Sequence, residues 1–383
     1  MKYLPNYKDG SIVNLMSSVL KSFGGMSHYG ELEGFDPDWI KDKSLVFLVI
    51  DGLGYEYLKK YGQGSFLESN LKSRITSVFP STTASAMTSF YTGLSPAEHG
   101  LMGWFMYLKE IGQVILPLHF STRAGNVYLG GSGISYQDII SGKSIFNQIG
   151  NDYFVVNHSN YIDSPYSRSV SVGAKKISYK SFSGLFSQIR KTLNSSQKRK
   201  FVFSYWSDFD SICHKFGTDS SRAKNHFEEI DRQVSLLAKF AKKRNAVIII
   251  TADHGLMDVK PKNIIKLKDH PELEKCLTLP LSGEGRATYC YVRPEKVSKF
   301  EKYVRRKMGK FCQMRKSSDL IEEGYFGSSK INPKLYDRVG DYVLIMKDGY
   351  LIQDTLLGEE RNDYLAHHGG LSREEMFVPL IVI

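Results

Sequence analysis

Residues 45–54, LVFLVIDGLG, decide the fold. An unbroken apolar, β-rich run from Leu45 to Ile50 ends on Asp51, and Gly52 and Gly54 follow. A strand apolar on both faces, with no alternation, belongs at the centre of a parallel sheet covered by helices on each side. In open α/β sheets, ligands bind beyond the carboxyl ends of the strands. Asp51 stands at such an end, and the glycines let the backbone turn sharply there. On this stretch alone a turn aspartate explains Asp51 as well as a ligand does. The decision rests on what else converges on the same edge.

The pattern recurs twice. Lys200–Tyr205, KFVFSY, leads into WSDFDSICHKFG with Asp208, Asp210 and His214, and Ala246–Thr251, AVIIIT, leads into Asp253, His254 and Gly255. The tail, AHHGGLSREEMFVPLIVI, adds His367 and His368 before a Gly-Gly pair and closes with a last apolar strand. If these strands are parallel neighbours, their Asp and His side chains gather on one edge. Such a donor set suits zinc, and manganese or iron also accept it. A pure magnesium site would leave the imidazoles unexplained. Each piece has an ordinary reading as a turn, a helix start or an exposed histidine pair. Their common placement after β-rich strands argues for a shared site.

Around these strands the chain alternates. Residues 12–25 read as a helix stopped by Gly24 and Gly25. A short helix follows at 55–61, then a strand at 73–79 stopped by Pro80. Ser81, Thr82 and Thr83 precede ASAMTSFYTGL, a helix ending at Gly93. Residues 104–143 read as loops and short strands, 145–150 as a helix end and 153–158 as a strand. An amphipathic helix is expected at 181–193. A longer one over 221–243 places Phe227, Ile230, Val234, Leu237 and Ala241 on one stripe. Residues 258–365 change character, with short strands (TYCYVR, DYVLIM) around the helix EKVSKFEKYVRRKMG, and read as a smaller inserted α/β cap. The expected fold is α/β, three layers with a largely parallel central sheet, in a single catalytic domain over 1–383 that carries this cap.

Composition excludes several classes. At 383 residues and 42% hydrophobic, the chain can bury a large core. The N-terminus lacks a continuous apolar segment, and no stretch approaches the about 18 apolar residues of a membrane span. The expectation is a cytoplasmic protein without a membrane anchor. Cys213, Cys276, Cys290 and Cys312 lie far apart, against both a disulfide framework and a thiolate zinc site. The net charge of +11 is spread over helix faces without a nucleic-acid module, and it suits a small anionic substrate.

A hydroxyl at a helix N-terminus faces free N–H groups and the positive end of the dipole, which favour an anion. A bound divalent cation lowers its pKa toward an attacking alkoxide. By spacing, Ser81, Thr82 and Thr83 compete for that role.

Together, VIDGLG (49–54), FPSTTASAMTSFYTGLSPAEHGL (79–101), YWSDFDSICHKFG (205–217), TADHG (251–255) and HHGGLSREEMFVPL (367–380) resemble the alkaline phosphatase superfamily. The resemblance is strongest to its type I phosphodiesterase / nucleotide pyrophosphatase branch, in order and over nearly the whole chain. It implies an alkaline-phosphatase-like fold and two divalent ions, zinc foremost and manganese as the second option. It assigns one ion to Asp51, Thr83, Asp253 and His254, and the other to Asp210, His214 and His368. It selects Thr83 as the nucleophile, with a phospho-threonyl intermediate, hydrolysis with retention, and phosphodiester or pyrophosphate substrates of nucleotide type. His367 becomes a neighbour of the second ion.

Two departures accompany it. The branch carries an Asn that contacts a phosphate oxygen where this chain has Trp104, so backbone N–H groups or a cap residue must replace that contact. Asp208 stands where relatives carry Glu. The rivals on this scaffold are a phosphomonoesterase or phosphonate hydrolase, for which Arg123, Arg286 or Arg293 are the candidate clamps. A sulfatase lacks its C/S-x-P-x-R motif here, and a phosphomutase usually uses Ser. A silent phosphate-binding protein would be expected to have lost Thr83 or His368.

Overall fold

The computed structural model describes residues 3–149, 152–359 and 363–383, so Gly150 of the expected helix end and residues 360–362 of the expected cap lie outside the described residues. Its main sheet has seven strands: β1 (Ser44–Ile50), β2 (Leu71–Thr76), β3 (Asp152–His158), β4 (Lys175–Tyr179), β5 (Lys200–Trp206), β6 (Ala246–Thr251) and β7 (Phe377–Val382). Their spatial order is β2-β7-β6-β1-β5-β3-β4. β6, β1, β5, β3 and β4 pair in parallel, and β7 runs antiparallel between β6 and β2. All seven residues of β1 are buried, which is why the stretch shows no alternation. Its register with both neighbours is level at the end that matters: Val49 lies opposite Tyr205 on β5 and Thr251 on β6. Three strand ends therefore emerge side by side.

The helices that position the site are α1 (Ile12–Ser22), α2 (Thr83–Thr92), α3 (Phe182–Asn194), α4 (Asp208–Phe216) and α5 (Ser221–Lys242). α2 lays Phe90 against Phe47 of β1, ring centres 5.6 Å apart. α5 buries the expected stripe together with Ala223, because 3.6-residue periodicity keeps these positions on one face. The strand expected over 73–79 stops at Thr76. Beyond it Ser77 donates its hydroxyl to the Asp253 carbonyl, and the chain leaves the sheet to carry α2 across the strand ends. Among the described residues no helix is long and apolar enough to cross a membrane.

Residues 282–346 form a second, antiparallel four-stranded sheet, in the order Ser282–Gly283, Ala287–Cys290, Tyr342–Met346, Cys312–Lys316. Period-two alternation sorts its side chains. Ala287, Tyr289, Val343 and Ile345 join the main core. Cys290, Tyr342, Leu344 and Met346 join a second core with Phe300, Val304 and Met308. Both faces are therefore buried, one on the main body and one on the sheet's own helix, Val297–Tyr303, which continues as a π-helical turn over Val304–Met308.

The loops after β1 and β6 cross at two glycines. Gly52 has φ +74°, as a sharp turn requires. Gly54 does not: its φ is −62°, and its need for glycine is spatial. A Cβ on Gly255 would stand 2.0 Å from the Glu374 carbonyl oxygen and 2.9 Å from Gly54 Cα. Neither backbone atom can swing aside. Gly255→Ala is therefore expected to lower the unfolding free energy by about 3 kcal/mol, measured by urea titration. A value near zero would show that the crossing relaxes freely.

Candidate functional site

Asp51 follows β1 directly and its N–H donates to the Trp206 carbonyl at 2.9 Å, continuing the ladder by one residue. Asp253 follows β6 and is fully buried. Its Oδ1 accepts from the Gly52 N–H at 3.1 Å and from the His254 N–H at 3.0 Å, binding the two loops together. Asp210 and His214 come from α4, four residues apart on one helical face, with His214 Nε2 3.2 Å from Asp210 Oδ2. Burial first, and then the charges of Asp253 and Asp210, push the Asp51 carboxyl well above the usual carboxylate range.

Each of the three aspartates keeps one buried oxygen with no hydrogen-bond partner: Asp51 Oδ1, Asp210 Oδ1 and Asp253 Oδ2. The imidazoles are turned to match. His214 Nδ1 lies 2.6 Å from the Ala366 carbonyl, His254 Nδ1 3.1 Å from that of Gly255 and His368 Nδ1 3.3 Å from that of Ser81. A carbonyl only accepts, so Nδ1 carries a hydrogen in each ring and Nε2 is the nitrogen turned toward the carboxylates. His254 Nε2 stands 3.4 Å from both Asp51 Oδ1 and Asp253 Oδ2, the very oxygens that lack partners. Carboxylate oxygens and imidazole nitrogens converging in this way fit a cation, and they are a donor set for zinc or manganese.

Among the described residues, those able to hold a metal ion fall into two sets, Asp51 with Asp253 and His254, and Asp210 with His254 and His368. The first contains three of the ligands expected together, and Thr83 Oγ1 adds itself at 3.2 Å from His254 Nε2. The second differs from the expected trio, since His254 takes the place of His214. His254 and His368 stack with ring centres 3.8 Å apart, whereas His214 lies 5.2 Å from His368 and stacks on Tyr364. His367 faces the Tyr364 carbonyl, outside both sets. Asp208 is exposed at the start of α4.

The three competing hydroxyls separate cleanly. Ser81 donates to the Gly370 carbonyl at 2.8 Å and Thr82 to Glu284 Oε1 at 2.6 Å, both fully buried. Thr83 alone faces the cluster, at the first position of α2 and half-buried. Because Thr82 turns toward Glu284, it makes no side-chain cap, and the first-turn N–H groups of α2 are left for an anion.

Two cavities meet here. One of about 230 Å³ is lined by Asp51, Thr83, Trp104, Tyr161, Tyr205 and Asp210 among others. A larger one, about 660 Å³, lies toward the second sheet, with Glu284, Arg123, Asp354, Glu359 and His367 in its wall. Trp104 and His119 belong to both. Two site residues carry no sequence signal of their own. Tyr205 donates its hydroxyl to Asp51 Oδ2; only its place opposite Val49 could have marked it. Glu284 reaches across from the second sheet, and its carboxyl is pushed up to about 7 by burial against the opposing hydrogen bonds from Thr82 and Trp104. Since the Trp104 N–H is spent on Glu284 at 2.7 Å, it cannot replace the missing Asn. Two candidate arginines are also committed: Arg286 to Glu375, and Arg123 to Glu359, Asp354 and the Leu281 carbonyl. Arg293 is exposed, outside both cavity linings.

Known proteins resemble this chain in sequence and in fold. Bis(5'-adenosyl)-triphosphatase enpp4 of Xenopus laevis is 24% identical over 265 residues, 62% of this chain and 52% of that protein, so the chain spans about half the length of this relative. Murine ectonucleotide pyrophosphatase / phosphodiesterase 5 superposes with a TM-score of 0.66 at 19% identity, over 88% of this chain and 87% of that one, and an inactive variant of it was solved in complex with AMP. Phosphonoacetate hydrolase from Sinorhizobium meliloti 1021 gives a TM-score of 0.64 at 18% identity over 89% of each chain. Identities this low establish the shared fold, which is alkaline-phosphatase-like. The model of the type I phosphodiesterase / nucleotide pyrophosphatase family matches residues 45–371, most of the chain, and the protein belongs to that family.

Proposed function

We propose that this protein hydrolyses phosphodiester or pyrophosphate bonds of nucleotide-like substrates, with Thr83 as nucleophile and a phospho-threonine intermediate. Two divalent ions, zinc foremost, are assigned to Asp51, Asp253 and His254 with Thr83, and to Asp210, His214 and His368. The segment 258–365 acts as a cap over the site. One observation carries the reading: the Thr83 hydroxyl lies 3.2 Å from His254 Nε2, beside three unpartnered buried carboxylate oxygens, at an uncapped helix start.

Bound ions supply Lewis-acid stabilisation of the attacking and leaving oxygens and lower the pKa of the hydroxyl. The chain supplies the rest. The contact between Thr83 Oγ1 and His254 Nε2, 3.2 Å, sets the threonine oxygen beside the atoms that would hold the ion. Tyr205 pins Asp51 in place. The first-turn N–H groups of α2 take the phosphate oxygen in place of the Asn contact. Trp104 and Tyr161 offer aromatic faces for a base, in keeping with the adenosyl substrate in one relative's name and the AMP bound by a fold relative. Relatives that prefer monoesters often add an arginine clamp or a third metal site, and of the candidate clamps Arg123 and Arg286 are spent elsewhere.

The test is turnover of bis-p-nitrophenyl phosphate, p-nitrophenyl-TMP and p-nitrophenyl phosphate by zinc- or manganese-loaded protein. Faster diester turnover supports the reading, and faster monoester turnover replaces it with a phosphatase. Chelation is expected to abolish turnover and lower the melting temperature, because the uncompensated carboxylates then repel one another. Re-addition at 100- to 1,000-fold above Kd restores about 3–4 kcal/mol of stability. A melting temperature indifferent to chelator would remove the metal from the proposal.

A further inference from the structure

The second sheet reaches Thr82, the residue before the proposed nucleophile, through Glu284 in the wall of the larger cavity. This residue sits on the turn between Ser282–Gly283 and Ala287–Cys290, where its N–H donates to the Ala287 carbonyl at 3.0 Å and its carbonyl accepts from the Thr288 hydroxyl at 2.6 Å. The turn holds the carboxylate out toward the main body. There Oε1 accepts from the Thr82 hydroxyl at 2.6 Å and from the Trp104 N–H at 2.7 Å. A Cβ on Gly369 would meet Glu284 Cβ at 2.5 Å, so the side chain packs directly on the residue after His368. Glu284 is thus one residue from the nucleophile on one side and one residue from His368 on the other.

Among the described residues, no lysine or arginine pairs with the Glu284 carboxylate, and of the charged groups acting on it His214 and Asp210 oppose each other. Glu284 belongs to neither metal-holding set. Among the described residues, no lysine or arginine lines the cavity at Thr83. Arg123, the one guanidinium among the described residues of the adjoining cleft wall, spends its donors on Glu359, Asp354 and the Leu281 carbonyl. A phosphodiester brings one negative charge to this place and a phosphomonoester brings two. The second charge meets a carboxylate and, among the described residues, no free lysine or arginine, and like charges brought together in a partly desolvated site are strongly disfavoured.

From this we infer that Glu284 is a specificity-determining residue, whose carboxylate sets the preference for phosphodiesters by repelling the second charge of a phosphomonoester. The inference rests on the proposed phosphodiesterase reading. It separates the two chemistries left open on this scaffold, and it assigns the choice to the second sheet.

The variants are Glu284→Gln, which keeps the shape and the acceptor for Thr82 and Trp104, and Glu284→Ala, which removes both. Metal-loaded proteins are assayed on bis-p-nitrophenyl phosphate and p-nitrophenyl phosphate at about pH 8.5, where the carboxylate is ionised. In Glu284→Gln the diester-to-monoester ratio of kcat/KM is expected to fall about tenfold, through improved monoester kinetics. Calorimetric titration with inorganic phosphate and dimethyl phosphate reads the same preference without turnover, and inorganic phosphate is expected to bind about tenfold tighter to the Gln variant. An unchanged ratio and unchanged phosphate affinity in Glu284→Gln, with equal losses on both esters in Glu284→Ala, would overturn the inference and make Glu284 a brace. Wild-type protein that turns over neither ester but shows the phosphate shift would overturn the hydrolase reading alone.

Discussion

Thr83→Ala is expected to lower kcat on a p-nitrophenyl diester by about 10⁴-fold or more while metal content stays at the wild-type level. The asymmetry follows from the geometry. The unpartnered oxygens of Asp51, Asp210 and Asp253 and the outward-turned Nε2 atoms of the histidines do not depend on the threonine. Its hydroxyl, however, is the one of three neighbours that faces them. Thr83→Ser, which loses only a methyl group, should retain a substantial part of the activity. Ser81→Ala and Thr82→Ala should act less severely, by loosening the start of α2 through lost contacts to Gly370 and Glu284. Steady-state kinetics with metal analysis of each variant checks the set. Robust turnover by Thr83→Ala would mean that water attacks directly and that the threonine merely positions it.

Arg286→Ala is expected to cost about 3–5 kcal/mol of stability, among the largest effects available to a single substitution here. Arg286 and Glu375 are both fully buried. The guanidinium donates Nε to Oε1 at 2.9 Å and Nη2 to Oε2 at 2.7 Å, and Nη1 to the Lys347 and Tyr350 carbonyls. Removing one partner leaves the other charge buried and alone. Glu375 also accepts from the Gly370 and Ser372 N–H groups, so the pair ties the second sheet to the turn that follows His368. Arg286→Lys should rescue little, since an ammonium cannot reproduce the two-pronged contact. The pH dependence has a definite sign. Burial alone raises the Glu375 carboxyl, but the Arg286 charge and hydrogen bonds outweigh it and hold the carboxyl below the ordinary glutamate range. A depressed folded value means stability that is present above about pH 4.3, the unfolded value, and is lost as pH falls through the folded one. Urea unfolding at neutral pH and near pH 3 measures both. A wild-type-like midpoint for Arg286→Ala would show that the pair adds nothing.

The parts of the fold legible in the sequence are those governed by local rules. LVFLVI read as a central strand because burial on both faces removes alternation, and all its residues are buried. The α5 stripe read correctly because 3.6-residue periodicity is a property of the helix itself. The site was legible to the extent that it lies on strand ends: Asp51 and Asp253 follow β1 and β6, which are neighbours. The resemblance named Thr83, and the geometry shows its two competitors turned away.

Other features depend on contacts that no local pattern encodes. Gly54 looked like a turn residue, and its reason is the Gly255 backbone across the loop crossing. Arg286 and Arg123 looked available for substrate, and both are spent on carboxylates distant in sequence. His254 sits in both metal-holding sets, with His214 outside the second, because ring stacking on His368 and the carbonyl each Nδ1 meets depend on how loops pack. Glu284 contacts Thr82 across 202 residues of sequence. The sequence alone thus determined β1, β5 and β6, the helices α1, α2, α3 and α5, and the chemical types gathered at one sheet edge, since periodicity and strand ends are local properties, whereas β4 carried no expectation. Which oxygen, which ring nitrogen and which arginine remain free was decided by tertiary structure, because a polar group's partner is chosen by whatever the fold brings within about 3 Å of it.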